Sequence, residues 1–117
     1  MPDSATTPVL SLDLEHFAGK VAVVRCHGKL VAGVTEILLS GVRPLFPDNQ
    51  RVVLDLSDLL HTDSTGLGAL VRLYVAAKNA GCSLELTHLS KQIRNLLGLT
   101  NLLDVFTIVG EKGVKFM

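Results

Sequence analysis

The residues with the clearest chemical potential lie at positions 59–70, which read LLHTDSTGLGAL. Positions 63–68 of this stretch combine one carboxylate, two hydroxyls and two glycines: Asp63, Ser64, Thr65, Gly66 and Gly68. A hydroxyl or carboxylate before a helix commonly accepts hydrogen bonds from the free first-turn amides, so capping explains the polar residues. Capping does not explain two glycines, each of which lowers helix stability by about 1 kcal/mol relative to alanine. Because glycine lets another group approach the backbone closely, the pattern favours a contact site.

Ser64 does not fit the patterns of a catalytic serine. A nucleophile elbow reads G-x-S-x-G, and here Thr62 stands where the first glycine belongs. A catalytic triad also needs a positioned histidine, and the four histidines of the chain are scattered, without a carboxylate partner suggested by the sequence. Neither a phosphate-cradling G-x-x-x-x-G-K-[ST] string nor the spacing of a known metal site occurs. The sequence therefore predicts no enzyme and no resident cofactor or metal.

Composition narrows the classes of partner. The 117 residues contain 11 Lys and Arg and 11 Asp and Glu, and no basic stripe of the kind that nucleic acid requires is present. No apolar run reaches 18 residues and no secretory pattern occurs at the start, so we expect no membrane insertion. Cys26 and Cys82 lie far apart without a CxxC motif, which predicts two reduced thiols in a cytoplasmic protein.

The elements that must position residues 63–68 alternate between strands and helices. Strands are predicted at 10–15, 21–26, 52–56, 83–89 and 105–109 from alternating or continuous apolar residues. Helices are predicted at 33–41, with a continuation to Phe46 left open, from Ser64 to Gly81, and after Ser90. Gly28 is expected to end the second strand, and residues 47–50 to form a turn. The order predicts an α/β fold with a mixed, mostly parallel sheet of four to five strands and three to four packed helices. We expect a single domain over 1–117, with 1–8 as a flexible lead-in.

The string VVLDLSDLLHTDSTGLGALVRLY, residues 52–74, resembles the signature of the STAS domain, the fold of anti-sigma factor antagonists and of sulfate-transporter tails. Residues 55–57 (Asp-Leu-Ser) and 63–67 (Asp-Ser-Thr-Gly-Leu) match the family pattern in residue type and spacing. The order of elements and the closing GLTNLLDVFTIV also fit. In this family the Ser or Thr directly after the Asp is the phosphoacceptor, so the resemblance implies that role for Ser64.

The resemblance implies an anti-sigma factor antagonist, a binding module that sequesters an anti-sigma factor kinase while Ser64 is unphosphorylated and so regulates sigma-dependent transcription. The kinase would supply ATP, and a phosphatase would reverse the modification. Contact with the partner is expected at six further residues: Gly28, Lys29, Asp63, Thr65, Gly66 and Leu67.

Several alternatives stay open on the sequence alone. Antagonists often carry Gly-x-Leu-Asp after the second strand, and Val31 stands here in place of the acidic residue. The apolar periodicity of the helix favours Leu67 as a core residue over an interface anchor, and Asp63 either caps the helix or orients the Ser64 hydroxyl. The alternative function is an accessory subunit of a lipid or anion transporter complex, in which the same helix start would face an ATPase.

Overall fold

The computed structural model of the chain describes residues 9–109, which form a five-stranded sheet in the order β1-β2-β3-β4-β5. The strands are β1 (Leu10–Phe17), β2 (Val21–Leu30), β3 (Arg51–Thr62), β4 (Ser83–Thr87) and β5 (Thr107–Val109). The helices are α1 (Thr35–Val42), α2 (Ser64–Asn79) and α3 (Lys91–Leu99), and a 3-10 helix, Arg43–Asp48, follows α1. Since β1 is antiparallel to β2 and all other neighbours are parallel, the predicted mixed, mostly parallel sheet is confirmed.

All three helices pack on one face of the sheet. The crossovers from β2 to β5 step across the sheet in one direction, and right-handed connections then place every connecting helix on the same side. Buried side chains of the three helices share one core cluster with alternate strand residues, as Leu54 and Leu70 illustrate. A smaller cluster, centred on Val23 and Val53, lies on the helix-free face among charged side chains.

Three strands run further than the sequence pattern indicated, and β1 does so by two residues, to Phe17. β2 continues through Gly28 to Leu30, so the prediction that Gly28 ends this strand is wrong. Gly28 adopts a φ of 105°, and a Cβ there would collide with the carbonyl oxygen of Val9. Glycine at this position therefore allows the backbones of β2 and of the residue before β1 to approach closely. β3 continues six residues beyond the predicted end at Leu56 to Thr62, because β2 supplies a pairing partner along this length.

β4 is buried on both faces, although alternating apolar and polar residues are typical of a half-buried strand. Glu85 and Thr87 expose only 6% and 1% of their surface. The Arg51 guanidinium binds the Glu85 carboxylate with Nη2–Oε1 at 2.7 Å, and the Thr87 hydroxyl donates to the Val109 carbonyl at 2.7 Å. Buried polar groups are tolerated when they are paired in this way.

Other sequence predictions differ from the structure in smaller ways. Residues 43–48 form a 3-10 helix where the sequence predicted the end of a helix and a turn, and β5 begins two residues later than predicted. Cys26 and Cys82 are free thiols, as predicted, and burial raises the pKa of Cys26 to about 12. Within residues 9–109, no helix has the length and apolar character to cross a membrane. The predicted lead-in at 1–8 lies outside the described residues.

Candidate functional site

The candidate site lies where β3 ends and α2 begins. Asp63 is the N-cap of α2, and its Oδ1 accepts a hydrogen bond from the Gly66 amide at 2.8 Å. Ser64 is therefore the first helical residue and not the cap. The Ser64 side chain is exposed, and no group among residues 9–109 hydrogen-bonds its hydroxyl. The hydroxyl is thus open to solvent at the helix start and makes no hydrogen bond within this part of the chain.

The second oxygen of Asp63 joins the helix start to the loop between β2 and α1. Its Oδ2 accepts from the Ala32 amide at 3.0 Å. The Thr62 hydroxyl donates to the Leu30 carbonyl at 2.7 Å and strengthens the same junction. Hydrogen bonds from the amides of Ala32 and Gly66 hold the pKa of Asp63 below its ordinary value, because they favour the charged carboxylate. The Ser64 segment and the 31–34 loop therefore form one fixed surface.

The fold requires glycine at position 66, because other atoms of this chain pack directly against its backbone. It is buried, and a Cβ at this position would collide with the Leu30 carbonyl oxygen and the Thr62 hydroxyl. A Cβ at Gly68 would meet no atom within 4 Å, and this residue is exposed. The sequence-based interpretation that an external group approaches the backbone at both glycines therefore needs correction at Gly66.

Of the other predicted contact residues in α2, one is exposed and one is buried. Thr65 lies beside Ser64 at the surface. Leu67 is only 5% exposed and belongs to the main core cluster, so the structure favours its core interpretation. The surface at the helix start consequently consists of Ser64, Thr65 and Gly68, next to Ala32 and Gly33, which are also exposed. We call these five residues the α2 ledge.

Gly28 and Lys29 lie in β2 and not in a loop, contrary to the sequence-based expectation. Lys29 is exposed, and its amide donates to the Val9 carbonyl at 2.8 Å. In the parallel pairing Lys29 lies opposite His61, two residues before Asp63. The lysine is thus on the strand that borders the approach to the α2 ledge, and its contact with a partner stays a prediction.

Charged side chains form cross-strand pairs that the sequence analysis missed. The His27 ring contacts carboxylates of Asp13 and Asp58, each at 2.8 Å, and His88 Nδ1 lies 3.3 Å from Asp55. The expectation that no histidine pairs with a carboxylate is therefore wrong. The paired residues lie on or directly beside different strands, so sequence proximity gives no signal, but the hairpin register places Asp13 opposite Arg25 and near His27. No group of three or more His, Cys, Asp or Glu residues within 9–109 could hold a metal ion.

Asp55, which opens the Asp-Leu-Ser part of the signature, is 9% exposed. Burial acts to raise its pKa, but hydrogen bonds from the backbone and hydroxyl of Ser57 and the nearby charge of His88 outweigh burial, so the pKa lies below its ordinary value. The Ser57 amide donates to Asp55 Oδ1 at 3.0 Å. This half of the signature thus shapes the middle of β3, away from Ser64.

Comparison with known proteins agrees with these features. A family model described as the STAS domain matches residues 13–112. The anti-sigma-B factor antagonist of Bacillus subtilis (strain 168) is 31% identical over 94 residues, which cover 79% of this chain and 86% of that protein.

Solved structures share the fold. The Bacillus cell fate determinant SpoIIAA in its phosphorylated form has a TM-score of 0.67 at 16% identity, over 86% of this chain and 93% of that one. The anti-sigma factor antagonist SpoIIAA in its unphosphorylated form has a TM-score of 0.72 at 16% identity, over 86% and 90%. A sulfate transporter family protein from Wolinella succinogenes has a TM-score of 0.70 at 19% identity, over 86% and 80%. The fold, the family model and the B. subtilis relative agree: the chain belongs to the STAS domain family.

Proposed function

We propose that this chain is an anti-sigma factor antagonist, a binding module that is switched by reversible phosphorylation of Ser64. The observation that carries the proposal is the exposed Ser64 hydroxyl at the first position of α2, where Asp63 has already taken over the capping role. The name of the B. subtilis relative, which is 31% identical, supports the antagonist function. That SpoIIAA has been solved in a phosphorylated form supports the phosphorylation switch.

The chain receives the phosphoryl group and supplies no catalysis. An anti-sigma factor kinase brings ATP and magnesium, and the Ser64 oxygen attacks the γ-phosphorus in line with the leaving ADP. One P–O bond to Ser64 forms as the P–O bond to ADP breaks, and the hydroxyl proton passes to a base of the kinase. A phosphatase reverses the modification by hydrolysing the serine phosphate. Because the hydroxyl is exposed, the kinase reaches it without any unfolding of α2.

Phosphorylation changes the charge of the α2 ledge much more than its shape. The phosphate carries about −1.5 to −2 charges at neutral pH. At a helix N-terminus it gains about 0.3–1 kcal/mol from the helix dipole, while repulsion from the neighbouring Asp63 carboxylate opposes this gain. We therefore expect the fold to be retained.

Phosphorylation of Ser64 is expected to change the affinity for the kinase much more than it changes the fold. An uncompensated anion that is buried at an interface costs several kcal/mol, and each 1.4 kcal/mol weakens binding about tenfold. Three of the five ledge residues, Ala32, Gly33 and Gly68, carry a methyl group or no side chain, so a partner surface approaches the backbone closely there. One phosphate in the middle of such a surface is sufficient to abolish docking without moving the backbone.

Phosphate mapping tests this function directly. The protein is incubated with candidate anti-sigma factor kinases and ATP, and the modified residue is identified by mass spectrometry. We expect a single phosphate on Ser64 that is lost in Ser64→Ala and retained in Thr65→Ala, the matched control on the same ledge. A phosphate that persists in Ser64→Ala, or no phosphate with any kinase encoded beside an anti-sigma system, would overturn the proposal.

The transporter-subunit alternative predicts a different partner on the same ledge. The sulfate transporter family protein from Wolinella succinogenes shows only that this fold also occurs in that setting. Affinity purification of the wild-type protein and of Ser64→Ala from the native host separates the two functions. If the chain is an antagonist, both proteins recover a kinase, and addition of ATP releases it from the wild type but not from Ser64→Ala. If the chain is a transporter subunit, both proteins recover a transporter ATPase.

A further inference from the structure

One histidine joins three strands on the helix-free face of the sheet. His27 of β2 places Nε2 2.8 Å from Asp13 Oδ2 of β1 and Nδ1 2.8 Å from Asp58 Oδ2 of β3. Both distances are short for nitrogen–oxygen hydrogen bonds and typical of charge-assisted ones. The ring therefore occupies a bridge between two carboxylates that belong to the strands on either side of its own.

Both contacts require a doubly protonated ring. A neutral imidazole has one N–H and one lone pair, so it donates to one carboxylate and turns a lone pair toward the other. The imidazolium donates to both. The hydrogen bonds with Asp13 and then Asp58 raise the pKa of His27 above its ordinary value.

The other basic side chains near His27 on β2 form no ion pair with Asp13 or Asp58 in the described part of the chain. On the strands that flank His27, the groups facing it are Asp13 of β1 and Asp58 of β3. Arg25, two residues before His27 on β2, is engaged by Glu15 at 2.7 Å and lies 3.8 Å from Asp55. Lys29 is the next basic residue on β2, and its strand neighbour is His61. The two carboxylates therefore determine the charge that the ring carries.

The strands that His27 joins are the two least supported at this point of the sheet. β1 is an edge strand and pairs only with β2. β3 pairs with β4 only as far as Asp55, so residues 58–62 pair with β2 alone. The β2–β3 register shifts between Arg25 and His27, which interrupts the ladder directly beside the ring. Asp58 opens the segment that leads to Asp63 and the α2 ledge.

We propose that His27 is a proton-dependent clasp that holds β1 and residues 58–62 of β3 against β2 when its ring is protonated and releases one of the two carboxylates when the proton leaves. The sign follows from linkage: the stabilisation is complete below the ordinary histidine pKa of about 6.5 and is lost as the pH rises through the higher value in the folded protein. The clasp does not depend on phosphorylation of Ser64, so it stands or falls separately from the proposed function.

NMR titration of the full chain tests the clasp. The His27 ring nitrogens are followed between about pH 5 and 9, the range in which histidine charge changes. We expect both nitrogens to be protonated at the acid end and the His27 pKa to lie above its ordinary value. Asp58→Asn and Asp13→Asn each lower this pKa. A His27 pKa at or below the ordinary value, or one that is unmoved by both variants, would overturn the proposal.

Amide hydrogen exchange tests the consequence for the strands. Protection in β1 and in residues 58–62 is compared between the wild type and His27→Gln at each pH, which cancels the intrinsic pH dependence of exchange. We expect the wild type to be better protected at low pH and this advantage to vanish as His27 titrates. His16→Gln, which removes an exposed histidine of β1, serves as the control and leaves the wild-type protection pattern unchanged. A wild-type advantage that stays constant across the titration would contradict the clasp.

Discussion

Asp63 and Ser64 are neighbours in the chain with different tasks. Asp63 binds two amides through its two oxygens, Gly66 in the helix and Ala32 in the loop. This leaves Ser64 free of the capping role that a serine before a helix commonly takes. Had Ser64 been the cap, one of its two oxygen lone pairs would have been engaged by a helix amide.

The variant Asp63→Asn distinguishes the contributions of the two hydrogen bonds that the Asp63 carboxylate accepts. Asparagine keeps a carbonyl oxygen for the Gly66 amide, but its NH2 group cannot accept from Ala32. We expect a lower melting temperature than in the wild type, because the link to the 31–34 loop is lost, and a smaller loss than in Asp63→Ala, which removes both contacts. Thermal unfolding followed by circular dichroism measures both. Equal melting temperatures for the wild type and Asp63→Asn would show that the Ala32 contact contributes nothing.

Asp63 also makes the protein sensitive to acid. Since the pKa of Asp63 is held below its ordinary value, its contribution to stability is complete above the ordinary aspartate pKa of about 4 and is lost as the pH falls through the lower folded-state value. Urea unfolding at several pH values below about 5 is expected to show a shallower loss of stability in Asp63→Asn than in the wild type. Parallel acid profiles for the two proteins would be inconsistent with this assignment.

At the scale of elements, the start of α2 depends on one glycine and tolerates replacement of the next. Gly66→Ala forces a Cβ into the Leu30 carbonyl and the Thr62 hydroxyl, so we expect a loss of about 1–3 kcal/mol in the free energy of unfolding. Gly68→Ala meets open space within the same helix and is expected to gain about 0.5–1 kcal/mol. Denaturant unfolding of both variants provides the comparison, and effects of the same sign at the two positions would contradict the packing described here.

The contact between β3 and β4 predicts a second stability effect. Arg51 compensates the buried Glu85 carboxylate through three hydrogen bonds of 2.7–3.1 Å. Arg51→Met leaves that carboxylate without its guanidinium partner. We expect a loss of about 2 kcal/mol in the free energy of unfolding, less than for a fully buried pair because Arg51 is partly exposed. Arg72→Met, on the exposed side of α2, is the control and should stay near the wild type. Chemical denaturation that gives equal losses for the two variants would argue against the role of this pair.

The alternation of strands and helices was predictable from the sequence, whereas the reach of the strands was not. Apolar periodicity and glycine stops are local signals, and they identified α2 and the central part of β3. The extension of β3 to Thr62 was missed because Ser57 and Asp58 interrupt the apolar run, and only pairing with β2 keeps the chain extended there. The burial of Glu85 was missed for the same reason, since its partner Arg51 lies 34 residues away.

At the scale of the whole molecule, the sequence identified the position of Ser64 and the order of the elements around it. It could not show that Gly66 is buried, because the atoms packed against it come from Leu30 of β2 and Thr62 of β3, whereas the periodicity of α2 already favoured Leu67 as a core residue. We therefore propose a contact region in which α2 contributes only its exposed residues and to which Ala32 and Gly33 belong, since Asp63 ties their loop to the helix.

The retained fold of the phosphorylated protein is itself a prediction. Because the Ser64 side chain is exposed and the Asp63 cap does not use it, the phosphate displaces no intramolecular hydrogen bond among residues 9–109. NMR spectra of the two forms should differ in amide shifts at the start of α2 and in the 31–34 loop and agree across the core of the sheet. Shift changes spread over β4 and α3 would indicate a conformational switch instead of a charge switch.

The affinity of the anti-sigma factor kinase for the two forms tests the central claim most directly. The kinase that phosphorylates Ser64 is titrated by calorimetry with the unmodified protein and with protein that is fully phosphorylated at Ser64, under identical salt and nucleotide conditions. An anion buried at the ledge should weaken binding at least about a hundredfold, which corresponds to roughly 3 kcal/mol. Equal affinity of the two forms would contradict the account, because the added charge would then not lie in the docking surface.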